Sequence, residues 1–282
     1  MSYIQAISRS RHGSKRWLRA SSYAFAAKDA VAAIDAHELP KAVLSMPVAF
    51  LAAGAGYSLV AVQSLSPGQN YFIALDGRWL GGYVPAVYRG YPFVLGTDTE
   101  GKQLLCIDED SGLLTDGAAP DAAPAGIPSG EAFFTDDHQP TPAISEVFGF
   151  LTQAATQRQG TQLVCAVLQK HALIKPWPIT VQAEKGEQNV EGLFCIDENA
   201  LNQLPTEAFL ELHAAGALPV AYCQLLSMQH LPSLAQLAKA HATAQAAAAA
   251  KAAPKPLVTP KGDLDLEFFH NSGTISFGKL FK

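Results

Sequence analysis

Two short segments of the chain share the four residues Cys-Ile-Asp-Glu. The thiol and the two carboxylates are side chains of the types that carry out nucleophilic and acid–base chemistry. Cys106 lies in LLCIDED and Cys195 in LFCIDEN. A thiol becomes a nucleophile when a base lies beside it, and the candidate bases are His171, His213 and His230. Their positions in the sequence place none of them next to a thiol. Because a small cysteine in an apolar strand is commonly a core residue, we predict buried, reduced cysteines and keep a cysteine enzyme as an alternative.

The same segments supply two pairs of carboxylates, Asp108 with Glu109 and Asp197 with Glu198. If the two strand ends met in space, these pairs could act as acid and base. An Asp that follows a strand also caps the next turn or helix, because its side chain accepts hydrogen bonds from backbone amides. We favour capping, keep an enzyme with paired carboxylates as an alternative, and assign no catalytic residue.

Motifs for metals and nucleotide cofactors are absent from the sequence. There is no Walker loop and no GxGxxG, GxSxG or HExxH pattern. The four cysteines are too widely spaced for a CxxC zinc site. Asp136, Asp137 and His138 offer oxygen and nitrogen ligands, but a polar loop is the better interpretation of this triplet. We therefore predict no cofactor and no metal site.

The strongest candidate for a binding site is the stretch RWLGGYVPAVYRGYPFVLG, from Arg78 to Gly96. It holds more aromatic residues than one buried strand face needs, and its prolines prevent a regular helix. An arginine beside aromatic rings can stack on them or pair with a carboxylate. The alternative is a core arginine within a packed loop. The ligand-binding candidates are Trp79, Tyr83, Tyr88, Arg89, Tyr91 and Phe93, with Asn70 just upstream.

The composition favours a compact protein and offers no site for nucleic acid. The 282 residues are 49% hydrophobic and 16% charged, which is enough to bury a sizeable core, and the net charge of -5 provides no basic field. The basic N-terminal segment is not followed by an uninterrupted apolar run, so we predict no signal peptide. A cytoplasmic location follows, with signal-independent export as the alternative.

An apolar segment from Ala42 to Val62 has the length of a membrane span. Pro47, Gly54 and Gly56 interrupt it, and no flanking charges anchor it. We therefore predict a pair of buried strands or helices here, and no transmembrane segment.

The hydrophobic periodicity predicts an α+β fold, in which an antiparallel-rich sheet from the first half packs against helices, mainly from the second half. An Ala-rich helix is predicted to end at Pro40, and a hairpin is predicted with Asp76-Gly77 as its turn. Thr141 and Pro142 are predicted to begin a helix. TQLVCAVLQKHALI is predicted as a second helix, and LPVAYCQLLS as a strand.

We predict one domain over residues 1–241, with a lobe division near 116–130, followed by a low-complexity linker over 242–262. Residues 263–282 form a predicted docking tail, since they carry an apolar patch that would associate if left in water. The tail would dock on its own domain or on a partner. Its docking residues are Leu264, Leu266, Phe268, Phe269, Ile275 and Phe277.

The sequence around Arg89 resembles the bacterial SapC family. The resemblance begins at PVAF (47–50) and continues through GQNYFIALDGRWLGGYVPAVYRGYPF (68–93), LCIDEDSGLL, EGLFCIDENALNQLPTEAFLELHAAGAL and AYCQLLSMQHLPSLAQL, with LDLEFFHNSGTISF in the tail. The most specific piece is the pattern YVPxxxRxxPF. Members of the family often have a second basic residue after the arginine, where this chain has Gly90.

The resemblance implies a link to the bacterial surface array, or S-layer, and to peptide handling. Some members are labelled peptide-transport proteins, and some lie near genes for flavin-dependent halogenases. The leading hypothesis is therefore a non-catalytic binding or assembly protein with a protein or peptide partner. One alternative is an accessory subunit that presents substrate to a peptide-modifying enzyme, such as a flavin-dependent halogenase. The other is an uncharacterised enzyme that uses cysteine or paired carboxylates.

Overall fold

The computed structural model describes residues 3–116, 130–183 and 186–252. The strands are β1 (Ile4–Ala6), β2 (Lys15–Trp17), β3 (Val31–Ala33), β4 (Val48–Ala53), β5 (Gly56–Val62), β6 (Phe93–Thr97), β7 (Gln103–Asp108), β8 (Leu114–Asp116), β9 (Glu131–Ala132), β10 (Ile174–Pro176), β11 (Ile179–Ala183), β12 (Gly186–Val190) and β13 (Leu193–Ile196). The α-helices are α1 (Arg9–His12), α2 (Leu39–Ala42), α3 (Ala86–Arg89), α4 (Pro142–Lys170), α5 (Glu198–Asn202), α6 (Thr206–Ala214), α7 (Ala217–Ser227) and α8 (Leu231–Ala252). Three short 3-10 turns accompany them: Ala24–Ala26, Glu109–Ser111 and Met228–His230.

The strands of the described residues form four sheets. The largest has five strands in the order β10-β13-β4-β5-β3, two sheets have three strands each in the orders β1-β7-β6 and β8-β2-β9, and β11 pairs with β12. Every strand pairing within these sheets is antiparallel. Together with the helices, this arrangement confirms the predicted α+β fold with an antiparallel-rich sheet and packed helices.

Of the two predicted possibilities for the segment between Ala42 and Val62, a pair of buried strands or of buried helices, the structure has the strands. In this β4–β5 hairpin, Val48 lies opposite Ala61 and Ala53 lies opposite Gly56. Gly54 has a φ of 59°, which glycine adopts without the steric penalty of other residues, and it closes the turn. Two of the three interruptions, Gly54 and Gly56, thus lie at a tight turn, whereas Pro47 directly precedes β4.

The longest helix, α4, contributes to two hydrophobic cores. Near its C-terminus, Val164, Cys165 and Leu168 are buried in the large core that contains the five-stranded sheet. Near its N-terminus, Ile144 is buried in a second core. The other buried members of the second core are Trp17, Phe93, Ile107 and Phe133. The helix therefore spans the distance between the large sheet and the segments around β2, β6 and β7.

The predicted caps of several elements are confirmed. Thr141 Oγ1 accepts a hydrogen bond from Ile144 N at 3.4 Å, and Pro142 occupies the first turn of α4. Asp108 Oδ1 accepts from Asp110 N at 3.1 Å, at the end of β7. The turn at Asp76-Gly77 is also present, but the predicted hairpin around it has only an isolated bridge between Ile73 and Trp79. The rest of that stretch is irregular.

Two helix predictions and one strand prediction are wrong. LPVAYCQLLS lies in helix α7, because an apolar run of this length cannot be told from a buried helix by periodicity alone. The predicted second helix at TQLVCAVLQKHALI is the continuation of α4, which has no break between Pro142 and Lys170. The Ala-rich segment before Pro40 holds a 3-10 turn and strand β3, and Pro40 lies in the first turn of α2. A proline there sets φ for a helix start.

The chain divides into two compact units, residues 1–241 and 242–282. Of the second unit, the structure describes residues 242–252, which are helical. The predicted lobe division near 116–130 falls almost wholly on residues outside the described ranges, and so do the docking residues of the 263–282 tail, so both stay predictions. Taken singly, no described helix is long and apolar enough to cross a membrane, whereas Thr206–Ala214 and Ala217–Lys251 pass the same test as a pair bent by 91°.

A buried histidine near the N-terminus predicts acid sensitivity. His12 is fully buried, its Nδ1 accepts a hydrogen bond from Ser8 N at 3.2 Å, and its Nε2 lies 3.1 Å from Glu109 Oε1. Burial lowers the pKa of His12, although the neighbouring Glu109 carboxylate opposes this shift. As pH falls below the unfolded-state value of about 6.5, the unfolded chain therefore takes up a proton that the folded chain does not.

We accordingly expect the free energy of unfolding to fall between pH 7 and pH 5, as measured by urea denaturation. His12→Gln keeps a donor for Glu109 and removes the titrating ring, so its pH dependence should be flatter than that of the wild type. The same slope in both proteins would contradict this role of His12.

Candidate functional site

Arg89 ends the short helix α3 and is exposed, but aromatic rings hold its side chain in place. Its guanidinium carbon lies 5.2 Å from the centre of the Phe150 ring on α4 and 5.7 Å from that of Tyr83. Nη2 of Arg89 donates a hydrogen bond to Tyr83 Oη at 3.1 Å. The structure thus places Arg89 against aromatic rings, as the sequence predicts. The alternative of a buried core arginine is wrong, because Arg89 is exposed.

The buried carboxylate of Glu38 fixes the loop that carries Arg89. Its Oε1 accepts hydrogen bonds from Tyr83 Oη at 2.8 Å and from Ala86 N at 2.7 Å, and its Oε2 accepts from Asp35 N at 3.0 Å. Burial, reinforced by the Glu38 charge, raises the pKa of Tyr83. Tyr83 therefore stays a protonated donor to Glu38 while it accepts from Arg89. A continuous chain of hydrogen bonds therefore runs from Arg89 through Tyr83 to Glu38.

A cavity of about 290 Å³ opens beside this chain. Asp35 and Glu38 contribute buried carboxylates to its lining, and Arg89 contributes its guanidinium. The other lining residues are His37, Lys41, Tyr83, Ala86, Phe150, Gln153, Ala154 and Gln157. Acids, cations, amides and aromatic rings therefore surround one small space, which is the composition expected for a polar ligand.

A second cavity of about 210 Å³ also has Arg89 in its lining. Its lining includes a second arginine, Arg19, and no acidic residue. The guanidinium of Arg19 lies 5.4 Å from the Trp17 ring and pairs with Glu131, with Nε 2.6 Å from Oε1. The remaining lining residues are Trp17, Ala20, Tyr23, Tyr88, Gly90, Tyr91, Phe93 and Val147. Arg89 thus stands between an acid-containing cavity and an aromatic, arginine-containing one.

The ligand-binding candidates of the sequence separate into three groups. Tyr83 and Arg89 line the first cavity, while Tyr88, Tyr91 and Phe93 line the second together with Arg89. Trp79 and Asn70 line neither of these two cavities. Contact of any of these residues with a ligand stays a prediction.

Asn70 and Tyr88 belong to a buried hydrogen-bond network. Asn70 Nδ2 donates to Gln63 Oε1 at 2.7 Å and to Ala26 O at 3.2 Å. Tyr88 Oη donates to the same Gln63 oxygen at 2.8 Å. Burial raises the pKa of Tyr88, so its hydroxyl keeps its proton. The network gives Asn70 and Tyr88 a structural role, and Tyr88 also contributes to the lining of the second cavity.

Trp79 is the centre of an aromatic cluster. Its ring stacks on Phe72 at 5.6 Å and contacts Tyr88 at 6.0 Å and Tyr23 at 5.7 Å between ring centres. Nearby, Phe25 stacks on Tyr91 at 3.8 Å. Since Tyr23, Tyr88 and Tyr91 also line the second cavity, the cluster forms part of the wall of that cavity. This explains why the stretch has more aromatic residues than one strand face needs.

Gly90 is packed too tightly to carry a side chain without a change nearby. A Cβ atom added at Gly90 would lie 2.6 Å from Leu151 Cδ2 of α4. A basic residue at this position would therefore require Leu151 to move.

The sequence did not reveal Asp35, Glu38 and Phe150 as parts of the site. Acidic residues are rarely buried. In IDAHEL, Asp35 and Glu38 are three residues apart, which is typical of the polar face of a helix. The only signal available was that both acids are flanked by apolar residues, Ile34 and Leu39, that are themselves buried.

The two Cys-Ile-Asp-Glu segments do not form one site in the described structure. β7 belongs to a three-stranded sheet and β13 to the five-stranded sheet. Glu109 pairs with Arg11, with Oε1 2.6 Å from Nε, and Asp197 pairs with Lys175 at 3.0 Å. These cations lower the pKa of both carboxylates. A general acid near pH 7 needs the opposite shift.

The thiols also lack the environment of a nucleophile. Cys106 and Cys195 are buried and unpaired, and burial raises the pKa of each. A nucleophilic cysteine needs a lowered pKa. Two of the candidate bases are engaged elsewhere: His171 contacts Glu211 at 2.9 Å, and His230 contacts Val43 O at 2.9 Å. Within the described residues, no three of His, Cys, Asp and Glu cluster closely enough to hold a metal ion.

The fold and the cavities define an α+β protein in which an exposed arginine lies between two small polar spaces. A family model described as SapC matches residues 7–234, most of the chain. The protein therefore belongs to the SapC family. No curated protein and no solved structure matches it.

Proposed function

We propose that the protein is a non-catalytic binding protein that holds a peptide across Arg89. The observation that carries this proposal is the position of Arg89, exposed at the junction of two cavities and held by Phe150 and by the chain to Glu38. A guanidinium held in this way keeps its remaining donors free for peptide carbonyls or carboxylates without a large loss of side-chain entropy.

The sizes of the cavities favour an extended ligand. The first cavity, at about 290 Å³, is at the lower end of the range of about 300–1,000 Å³ that is typical of sites for drug-sized molecules, and the second, at about 210 Å³, is below it. A ligand that fills both must therefore cross Arg89 as a narrow chain. A peptide fits this requirement, because it alternates backbone amides with side chains. Family membership supports a role in peptide handling or at the bacterial cell surface, with a protein or peptide as the partner.

The test is a binding measurement on purified protein, with a peptide library and with cell-envelope fractions. Arg89→Ala should weaken binding of the selected peptides about tenfold or more, the loss expected for a charge-assisted hydrogen bond of about 1.5–3 kcal/mol. Because Arg89 is exposed, the same change should alter the free energy of unfolding by only about 1 kcal/mol or less.

Arg78→Ala is the matched control. Arg78 lies in the same loop and is exposed, but it pairs with the neighbouring Asp76 at 2.7 Å and lines neither cavity. Its replacement should leave peptide binding unchanged. Equal losses in the two variants would contradict a site at Arg89, and turnover of a substrate that depends on Cys106 or Cys195 would replace the proposal with an enzyme.

A further inference from the structure

Of the two acids in the first cavity, Asp35 is the one whose carboxylate is not fully hydrogen-bonded by the described residues. Asp35 is only 3% exposed. Its Oδ1 accepts a hydrogen bond from His37 N at 2.8 Å, and the ring of His37, which is charged only when protonated, lies 3.6 Å away. Its Oδ2 has no hydrogen-bond partner among the described residues. A buried carboxylate in this state is unfavourable for the folded protein.

Glu38, three residues later, shows the contrast. Both of its oxygens accept hydrogen bonds, and through Tyr83 it reaches the guanidinium of Arg89. Lys41 also lines the cavity, but it forms no ion pair within 4.0 Å with Asp35 or Glu38 in the described structure. The free oxygen of Asp35 thus borders a space that can hold a ligand, and no described lysine or arginine pairs with it.

We infer that Asp35 anchors a subsite for a primary ammonium group, such as a peptide amino terminus or a lysine side chain. The ammonium would donate to Asp35 Oδ2, and its remaining hydrogens have acceptors in the side-chain amides of Gln153 and Gln157, which line the same cavity. The inference rests on the proposed peptide-binding function and deepens it. It also sets the orientation of the bound peptide. The ammonium group lies in the first cavity, and the rest of the peptide passes over Arg89 towards the second.

A buried acid that is kept for ligand binding and lacks a cationic partner lowers the free energy of unfolding of the ligand-free protein. Asp35→Asn keeps the Oδ1 acceptor for His37 N and removes the charge, so this variant separates the two roles. We expect Asp35→Asn to raise the Tm of the ligand-free protein by about 2–4 °C. The matched control is Asp76→Asn, at an exposed acid that already pairs with Arg78, and it should not raise the Tm.

The binding test uses pentylamine and, as its uncharged counterpart, pentanol, each titrated into the full chain by NMR at pH 8, where imidazoles are ordinarily neutral. Wild-type protein should bind pentylamine and not pentanol, and Asp35→Asn should weaken pentylamine binding about tenfold or more. Equal binding of pentylamine by both proteins, or by neither, would overturn the subsite. So would a Tm of Asp35→Asn at or below that of the wild type.

A second arm identifies the source of the ammonium and keeps this inference separate from the proposed function. Peptides selected by the wild type are compared with free and acetylated amino termini, and with lysine replaced by norleucine. Loss on acetylation identifies the amino terminus, and loss on lysine replacement identifies the side chain. Undiminished binding after both changes would overturn the subsite while peptide binding stands. Failure of every peptide would overturn the proposed function, and the pentylamine result would then decide the subsite alone.

Discussion

Glu38→Ala is expected to lower the free energy of unfolding by about 3–4 kcal/mol and to abolish peptide binding at Arg89. The change leaves three donors without an acceptor: Tyr83 O–H, Ala86 N–H and Asp35 N–H. Each buried donor left unpaired costs about 1–3 kcal/mol, and the three are not additive because they share one site. Chemical denaturation measures the first effect, and peptide titration measures the second.

Two further variants make this prediction specific. Glu38→Gln keeps one acceptor oxygen but turns an N–H₂ group towards a donor, so its loss should be intermediate. Glu198→Ala removes an exposed acid in the first turn of α5 and should stay within about 0.5 kcal/mol of the wild type. A stable Glu38→Ala protein that binds peptides normally would show that the chain from Glu38 to Arg89 does not position the site.

Trp17→Ala is expected to destabilise the protein by about 3–5 kcal/mol, the range for removing a buried tryptophan. Trp17 is 2% exposed, its ring meets that of Phe93 edge to face at 4.8 Å, and it lines the second cavity. Its replacement should therefore enlarge that cavity as well as weaken the core. Urea denaturation at pH 7 measures the change.

Trp17→Phe should lose much less. The buried Nε1 of Trp17 has no hydrogen-bond partner among the described residues. The substitution by phenylalanine therefore removes packing volume but no hydrogen bond. Losses of similar size in Trp17→Phe and Trp17→Ala would contradict the expectation that a phenyl ring restores most of the packing of Trp17.

Local signals predicted the caps and the ring contacts of Arg89, because each depends on residues close in sequence or on a single side-chain preference. For the β4–β5 segment they predicted a buried pair but left strands and helices open. Helix α7 was missed because its buried face, which includes Val220, Ala221 and Gln224, is recognisable only once the sheet beneath it is known. The acid pair was missed for a related reason. Glu38 is satisfied by Tyr83 and Ala86, 45 and 48 residues away, and no local pattern marks such a partner.

The aromatic stretch from Arg78 to Gly96 shows what composition alone predicts and what it does not. Its composition left open a binding loop or a packed loop around a core arginine, and in the structure Arg89 is exposed. The composition did not indicate that Phe150, on α4, supplies the ring closest to Arg89, since the helical pattern of α4 does not say which surface it will cover. Nor did it separate Tyr88, whose hydroxyl is tied to Gln63, from the more accessible Tyr83 and Tyr91.

The close contact between Gly90 and Leu151 has a consequence for how this family diversifies. A relative with a basic residue at the position of Gly90 must accommodate its Cβ where Leu151 Cδ2 lies, 2.6 Å away in this chain. Bulk gained at the position of Gly90 should therefore be matched either by another rotamer of Leu151 or by a smaller residue in its place. Such an exchange would allow a relative to carry a second positive charge in the loop while helix α4 keeps its position. Ligand preference within the family could therefore change without a change of fold.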